Sequence, residues 1–247
     1  MTASVLTLAL LSATALAVQA ASIGVNFSEN DGNQSWLTST TPVGPTAIQS
    51  GFFNTTNNPT GAAGLPVRTG SLAAGSLLGL VDSTGAVTST SVAWSSPNAW
   101  YNASGTGSDQ ARLSVGYLDD GGAGASITFS SIPFALYDVY ILLGSDAGDT
   151  HTSEIPRVNG ANVLAADFPA FGNLIGSGGG WIEADGTNRG NYVVARGISG
   201  ASVNISGQNS TSNRIGISGI VINQVPEPSA ALLGLGALVG LIVRRRR

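Results

Sequence analysis

Apolar and polar residues alternate with a period of two along much of this chain, a spacing that sets one face of an extended strand in a core and the other in water. Ile23, Val25 and Phe27 open the pattern. Leu113, Val115 and Tyr117 follow, then Ile127 and Phe129, then Tyr137, Val139, Ile141 and Leu143. Asp119-Asp120-Gly121-Gly122 and Pro133 separate these runs, so the three read as consecutive strands of a meander. Later strands fall at Tyr192 to Ala195, Ser202 to Ile205 and Arg214 to Asn223. In the last of these, Ile215 and Ile217 are out of phase with Ile220 and Ile222, and a bulge near Ser218-Gly219 restores a common facing.

Between the chain ends no segment shows a 3.6-residue period, and no repeat of about 20–50 residues is present, which argues against solenoids and propellers. The stretch from Asn30 to Gly79 is polar and turn-rich, and is expected to give loops and a few short strands over one end of the domain. The expected fold is therefore all-β: an antiparallel jelly-roll-like β-sandwich over residues 21–224. Its first and last strands are expected to pair, so that the C-terminal segment leaves beside the N-terminus.

Composition narrows the chemistry. The 34 glycines and a charged fraction of only 10% suit short strands joined by many turns. The absence of cysteine excludes a disulfide scaffold, a zinc thiolate site and a cysteine nucleophile. Of the ten basic residues, four form the terminal run Arg244, Arg245, Arg246 and Arg247; the other six face fourteen acids, a net charge of −8. A body that acidic, with no lysine and no basic patch, excludes nucleic acid as a partner, because phosphate neutralisation supplies most of that affinity.

Both ends read as addresses. From Val5 to Val18 the chain is apolar or small and closes on Val18-Gln19-Ala20, which predicts a signal peptide over residues 1–20 cleaved between Ala20 and Ala21. The segment before Val5 carries no Arg or Lys, so the terminal amine alone supplies its charge. At the other end, Val225-Pro226-Glu227-Pro228 precedes an uncharged run, Ser229 to Val243, and then the four arginines. Those fifteen residues reach roughly 22 Å as a helix, short of a hydrocarbon core of about 30 Å, so snorkelling arginines and local thinning are needed to span it. The arginines act as a stop and orient the tail by the positive-inside rule, with the body on the far side of the membrane.

Val225-Pro226-Glu227-Pro228, a short apolar helix and an arginine cluster, in that order, resemble the PEP-CTERM sorting domain of Gram-negative bacteria. The resemblance spans residues 225–247 and implies export across the inner membrane by the secretion machinery. It also implies a transient anchor in that membrane, and recognition by an exosortase that cuts near Pro226-Glu227-Pro228 in cells making extracellular polysaccharide. Proteins of this kind are substrates of sorting, bound for the cell envelope surface or extracellular matrix. Two prolines cannot extend a helix, so the motif stays extended and reachable.

Within the body, Asp109-Gln110-Ala111-Arg112-Leu113, Gly116-Tyr117-Leu118-Asp119, Tyr137-Asp138-Val139-Tyr140, Val158-Asn159-Gly160 and Asn191-Tyr192-Val193-Val194 resemble galactose-binding-like extracellular β-sandwiches. That resemblance implies a carbohydrate-binding module.

Catalytic motifs are scarce. His151 is the sole histidine, and Ile155 stands where a zinc protease needs a second one after His151 and Glu154. No Gly-x-Ser-x-Gly elbow occurs, and Gly176-Ser177-Gly178-Gly179-Gly180 runs into Trp181 where a dinucleotide fingerprint needs glycine. Two acidic pairs, Asp119 with Asp120 and Asp146 with Asp149, sit beside glycines at strand ends. They are either turn-forming aspartates or oxygen ligands for Ca²⁺, the one cofactor in view, although neither has the spacing of an EF-hand loop. Sugars stack on exposed aromatic faces, and Trp100-Tyr101-Asn102, in a Pro- and Ser-rich loop, is the candidate carbohydrate site; Trp94 closes a strand and belongs to the core.

The expected function is that of a surface or matrix protein with no catalytic activity of its own, sorted by exosortase-type processing and able to touch extracellular polysaccharide. A lectin-like module and a glycan hydrolase are the alternatives.

Overall fold

A computed structural model describes residues 20–28, 37, 42–48, 51–58, 64–101, 108–121, 124–144, 152–153, 156–164, 168–169, 180–188, 190–207 and 216–226. In chain order the strands are β1 (Ser22–Asn26), β2 (Phe53–Thr55), β3 (Thr69–Gly70), β4 (Ala74–Leu78), β5 (Ser91–Ser95) and β6 (Asn98–Tyr101). After helix α1 (Asp109–Val115) come β7 (Gly116–Asp119), β8 (Ser126–Ser130), β9 (Leu136–Leu143), β10 (Thr152–Ser153), β11 (Arg157–Val158), β12 (Ala161–Asn162) and β13 (Phe168–Pro169). The last three are β14 (Tyr192–Ser199), β15 (Ser202–Ser206) and β16 (Gly216–Gln224).

β10 and β13 pair with each other in a two-stranded sheet, and the other fourteen strands form two seven-stranded sheets. The first runs β14-β9-β16-β1-β2, with β7 also paired to β16 and β6 paired to β7; the second runs β12-β11-β15-β8-β5-β4-β3. All pairings in them are antiparallel except β1 with β2. Side chains from the facing surfaces meet in one core: Ile23, Val25, Val139, Ile141, Ile220 and Ile222 from the first sheet, and Leu77, Val92, Ile127, Phe129, Val203 and Ile205 from the second. Trp94 lies in this core, with its ring edge-on to Phe27 at 5.8 Å and its indole N–H donating to Leu72 O at 2.8 Å. The chain is an all-β sandwich.

A third layer explains why β9 and β16 are apolar at both parities. Tyr140, Leu142 and Val221 point away from the sandwich core and are covered by Val43, Ile48, Phe53 and Leu113. Strands buried on both faces read as continuous apolar runs.

Two expectations are corrected here. Leu113 and Val115 lie on a helix, not on a strand with Tyr117. Ser108 caps this helix, its side chain accepting from Ala111 N at 3.2 Å, and Asp109 sits in the first turn where the helix dipole favours a negative charge. Seven residues make only two turns, too few for a 3.6-residue period to show, and the i, i+2 spacing imitated a strand. Nor do the three central runs form a meander. β7 and β9 belong to the first sheet and β8 to the second, so the chain crosses between sheets at each breaker.

Other expectations hold. β1 and β16 pair antiparallel from Ser22 opposite Asn223 to Asn26 opposite Gly219. The ladder of β16 with β9 shifts register between Ile217 and Gly219, which returns Ile217, Ile220 and Ile222 to the same core. Glycine is required at 219, because a Cβ there would lie 2.9 Å from Val25 O.

The parallel β1–β2 pair is locked by buried polar groups. The Asn54 amide donates to Gly24 O at 2.8 Å and to Val81 O at 2.9 Å, and its carbonyl accepts from Val81 N at 2.8 Å. Asn54→Ala removes a second partner from Gly24 O and leaves the Val81 N–H and carbonyl without these bonds in a dry interior, at ~1–3 kcal/mol for each group left unpaired. A loss of about 3 kcal/mol or more is expected in urea unfolding, with the m-value unchanged.

Candidate functional site

The segment that joins the body to its tail is held by backbone bonds. Gln224 N donates to Ala21 O at 2.9 Å, and Val225 N donates to Leu136 O at 3.0 Å. Pro226 is exposed and has no N–H, so the ladder ends there by covalent chemistry. Ala20 and Ala21, half-buried, lie at the start of β1, and Ala21 thus borders Gln224. The bonds of β16 therefore bring the expected front cleavage site and the start of the sorting motif together. Glu227, Pro228 and Arg244 to Arg247 lie outside the described residues, as does the expected signal peptide over residues 1–19. Among the described residues no helix is long and apolar enough to cross a membrane.

Trp100 and Tyr101 are on β6, an edge strand, rather than in a loop. Edge pairing of Trp100 with Tyr117 leaves the Trp100 side chain 47% exposed, while Ala99 between its neighbours points into the core. Asn102 lies outside the described residues.

Asp119 and Asp120 end β7 and are buried. The Asp119 carboxylate accepts from Gly121 N at 3.1 Å, the geometry of a turn-forming aspartate, and Asp119 O accepts from Ser96 Oγ at 2.7 Å. Asp146 and Asp149 lie outside the described residues, as does His151. Among the described residues no three His, Cys, Asp or Glu side chains gather as a metal site.

A second polar group, of which Trp181 and Glu183 stand out in the sequence as a candidate aromatic and a candidate acid, sits on the outer face of the first sheet at its β14 edge. Arg196 makes a two-pronged bond with Glu183, from Nη2 to both carboxylate oxygens at 2.8 and 3.0 Å. Tyr140 and Tyr192 stack beside it with ring centroids 6.1 Å apart. Trp181 packs against the same apolar layer and donates its indole N–H to Gln110 Oε1 at 2.7 Å. The two tyrosines come from adjacent strands, with Val194 opposite Tyr140 and Tyr192 opposite Leu142. Glu183 reaches them through a bridge to Tyr192. Glu183, Tyr192 and Arg196 lie near one another in sequence, but Tyr140 joins them only through the pairing of β9 with β14; its signal was apolar character at both parities of Val139 to Leu143.

Residues 224–247 match the PEP-CTERM protein-sorting motif. No curated protein and no solved structure matches the chain. The match begins at Gln224, the last residue of β16, one position before the stretch read from the sequence. A PEP-CTERM motif marks a chain for the cell envelope and for exosortase processing, and here it is fused without a linker to a folded strand.

Burial pushes the Tyr140 and Tyr192 hydroxyls up from their ordinary value of 10.0, and Glu183 adds to both while Arg196 opposes it. Tyr137 is pushed up by burial alone. The folded chain therefore holds these protons where the unfolded chain has begun to lose them. Stability is expected to be unaffected by tyrosines below about pH 10 and to fall as pH rises beyond it. Tyrosinate absorbance and urea midpoints followed together from pH 9 upward check this, and Glu183→Gln should move the onset of ionisation at Tyr140 and Tyr192 downward.

Proposed function

We propose that this protein is an exported surface or extracellular-matrix-associated protein of a Gram-negative envelope, sorted by an exosortase, with a sandwich that performs no catalysis. The observation that carries the reading is the PEP-CTERM motif at residues 224–247, continuous with the closing strand of the body. The Arg run beyond it supports a stop in the cytoplasm, and the signal-peptide pattern over residues 1–20 supports export. Extracellular polysaccharide is the neighbour this address supplies.

The absence of a second histidine, of cysteine and of a nucleophile elbow in the sequence supports a non-catalytic body. For a glycan hydrolase, two carboxyl groups must face one another across a bond, roughly 5–10 Å apart. Asp119 ends β7, whereas Glu183 lies beyond β14 on the far side of β9 and β16, already bonded to Arg196.

A second reading, a carbohydrate-binding module with a jelly-roll-like, galactose-binding-like body, is favoured by the Trp100 ring, nearly half exposed on an edge strand beside Tyr101. Such a ring offers a flat apolar face for sugar C–H groups. On this reading Trp100→Ala abolishes retention on the cell's own polymer while leaving the urea midpoint within about 0.5 kcal/mol of the parent. Failure of the parent to bind any glycan would sink it.

The sorting reading has a separate check. Replacing Pro226, Glu227 and Pro228 together by alanine is expected to leave unprocessed chain in the inner membrane, with the tail still attached by intact mass. Processing at the parental rate would show the tail to be an anchor only.

A further inference from the structure

The two strands that carry the chain ends finish at the same pole of the sandwich. Ser22 opens β1 opposite Asn223, and Gln224 lies opposite Tyr137 at the start of β9. The hairpin from β14 to β15 turns at this pole, since Ser199 pairs with Leu136 and Ser202 with Ser130. The 79–90 loop closes it. Ser83 N donates to Ser22 O at 2.7 Å, and Thr90 Oγ1 donates to Ser131 O at 3.2 Å.

Three observations make this pole unlike the rest of the body. Its rim carries exposed apolar side chains on both sides of the sandwich: Leu136, out of phase with the core residue Tyr137, on the first sheet, and Leu78, out of phase with the core residue Leu77, with Val87 in the 79–90 loop, on the second, the last two 69% and 72% exposed. Val67, also exposed, continues the β3–β4 register opposite Leu78. Charge is sparse: across residues 20–22, 67–68, 79–90, 131–136, 199–201 and 224–226 the ionisable side chains are the half-buried Arg68 and Asp82. The Asp82 Oδ1 turns back into its own loop, accepting from Thr84 N at 2.8 Å, Thr84 Oγ1 at 2.6 Å and Ala86 N at 3.1 Å.

The length of chain beyond the last ladder bond decides what this pole meets. Val225 is still bonded to Leu136, and the apolar run begins at Ser229, so only Pro226, Glu227 and Pro228 intervene. Three residues span at most ~10 Å, whatever their conformation. The headgroup zone on each side of a bilayer is itself roughly 5–8 Å deep. A tail inserted in the membrane therefore holds this pole against lipid.

We propose that the pole built from Leu78, Val87 and Leu136 is a lipid-facing surface, on which the body rests while its tail remains uncut. The proposal rests on the anchor reading of the tail. A body of net charge −7, with six arginines against thirteen acids over residues 21–224, would be repelled by anionic headgroups through most of its surface. This pole presents apolar side chains, Arg68 and one turned-in carboxylate instead. Contact of this kind also sets the height of Pro226 above the bilayer, because β16 leaves no slack.

The chain has no cysteine, so single-cysteine labels are unambiguous. Residues 21–247 carrying Leu78→Cys, Val87→Cys or Leu136→Cys, labelled with NBD, would be reconstituted in vesicles of phosphatidylethanolamine and phosphatidylglycerol, with or without a doxyl-labelled lipid. Ser95→Cys, exposed at the opposite end of β5, is the reference. The expected result is doxyl-dependent loss of fluorescence at the three pole positions and none at Ser95→Cys. Insertion of the tail with equal quenching at all four positions, or with no quenching at the pole, overturns this inference and leaves the anchor reading standing. A blue-shifted emission at the pole without doxyl quenching identifies a second copy rather than lipid against it, and also overturns the inference. Chain that stays in the aqueous fraction overturns both.

Discussion

The antiparallel pairing of β1 with β16 is the contact on which the rest of the molecule depends. It joins the first and last strands of the described residues by five ladder positions, Ser22 to Asn26, in the middle of the first sheet. β9 stacks on one side of this pair through β16, and β2 on the other through β1. Without it the first sheet would divide into two pieces, each with an open edge. The entropy of closing so long a loop is met by Ile23, Val25, Ile220 and Ile222, all fully buried in the shared core. The same pairing carries the functional geometry, since it seats Ala21 beside Gln224 and stops the ladder at the residue before Pro226.

Burial of the first sheet on both faces is the second constraint, and it shapes the local chemistry. The outer layer of α1, the turn at Thr46–Ile48 and Phe53 lets β9 and β16 dispense with polar residues at one parity. It also requires small residues where backbone must approach: a Cβ at Gly24 would lie 2.8 Å from the Phe53 ring. Where the layer thins toward β14, Tyr140 and Tyr192 emerge together and the Arg196–Glu183 pair covers them. That pair is largely exposed, so it orients the two side chains more than it stabilises the fold.

Strand periodicity was legible wherever one face of a strand is wet or lies in a single core. β8, β15 and the ends of β1 follow from alternation, and the bulge in β16 follows from the phase change between Ile217 and Ile220. Alternation failed at α1, where a Ser108 cap and seven residues of helix carry Leu113 to the outer layer. It also assigned Trp100 to a loop, because a four-residue edge strand has too little length to declare its parity. Trp94 was legible as core because it shares parity with Val92 on a strand with two neighbours.

The tail is a linear signal. Val225-Pro226-Glu227-Pro228, the apolar run and the arginines act through order and composition, so their character is present in the sequence with no fold at all. Two-sheet all-β architecture was nearly as direct, since a period of two and abundant glycine leave few other ways to bury apolar side chains. Sheet membership was not, because β7, β8 and β9 have the same local pattern whether they stay in one sheet or cross between two. Only tertiary packing put Leu78, Val87 and Leu136 at the pole of the chain ends and drew Tyr140, Tyr192, Glu183 and Arg196 together. In each grouping one residue of β9, Leu136 or Tyr140, meets others far from it in sequence, and neither period nor composition carries information about which distant strand a given edge will meet.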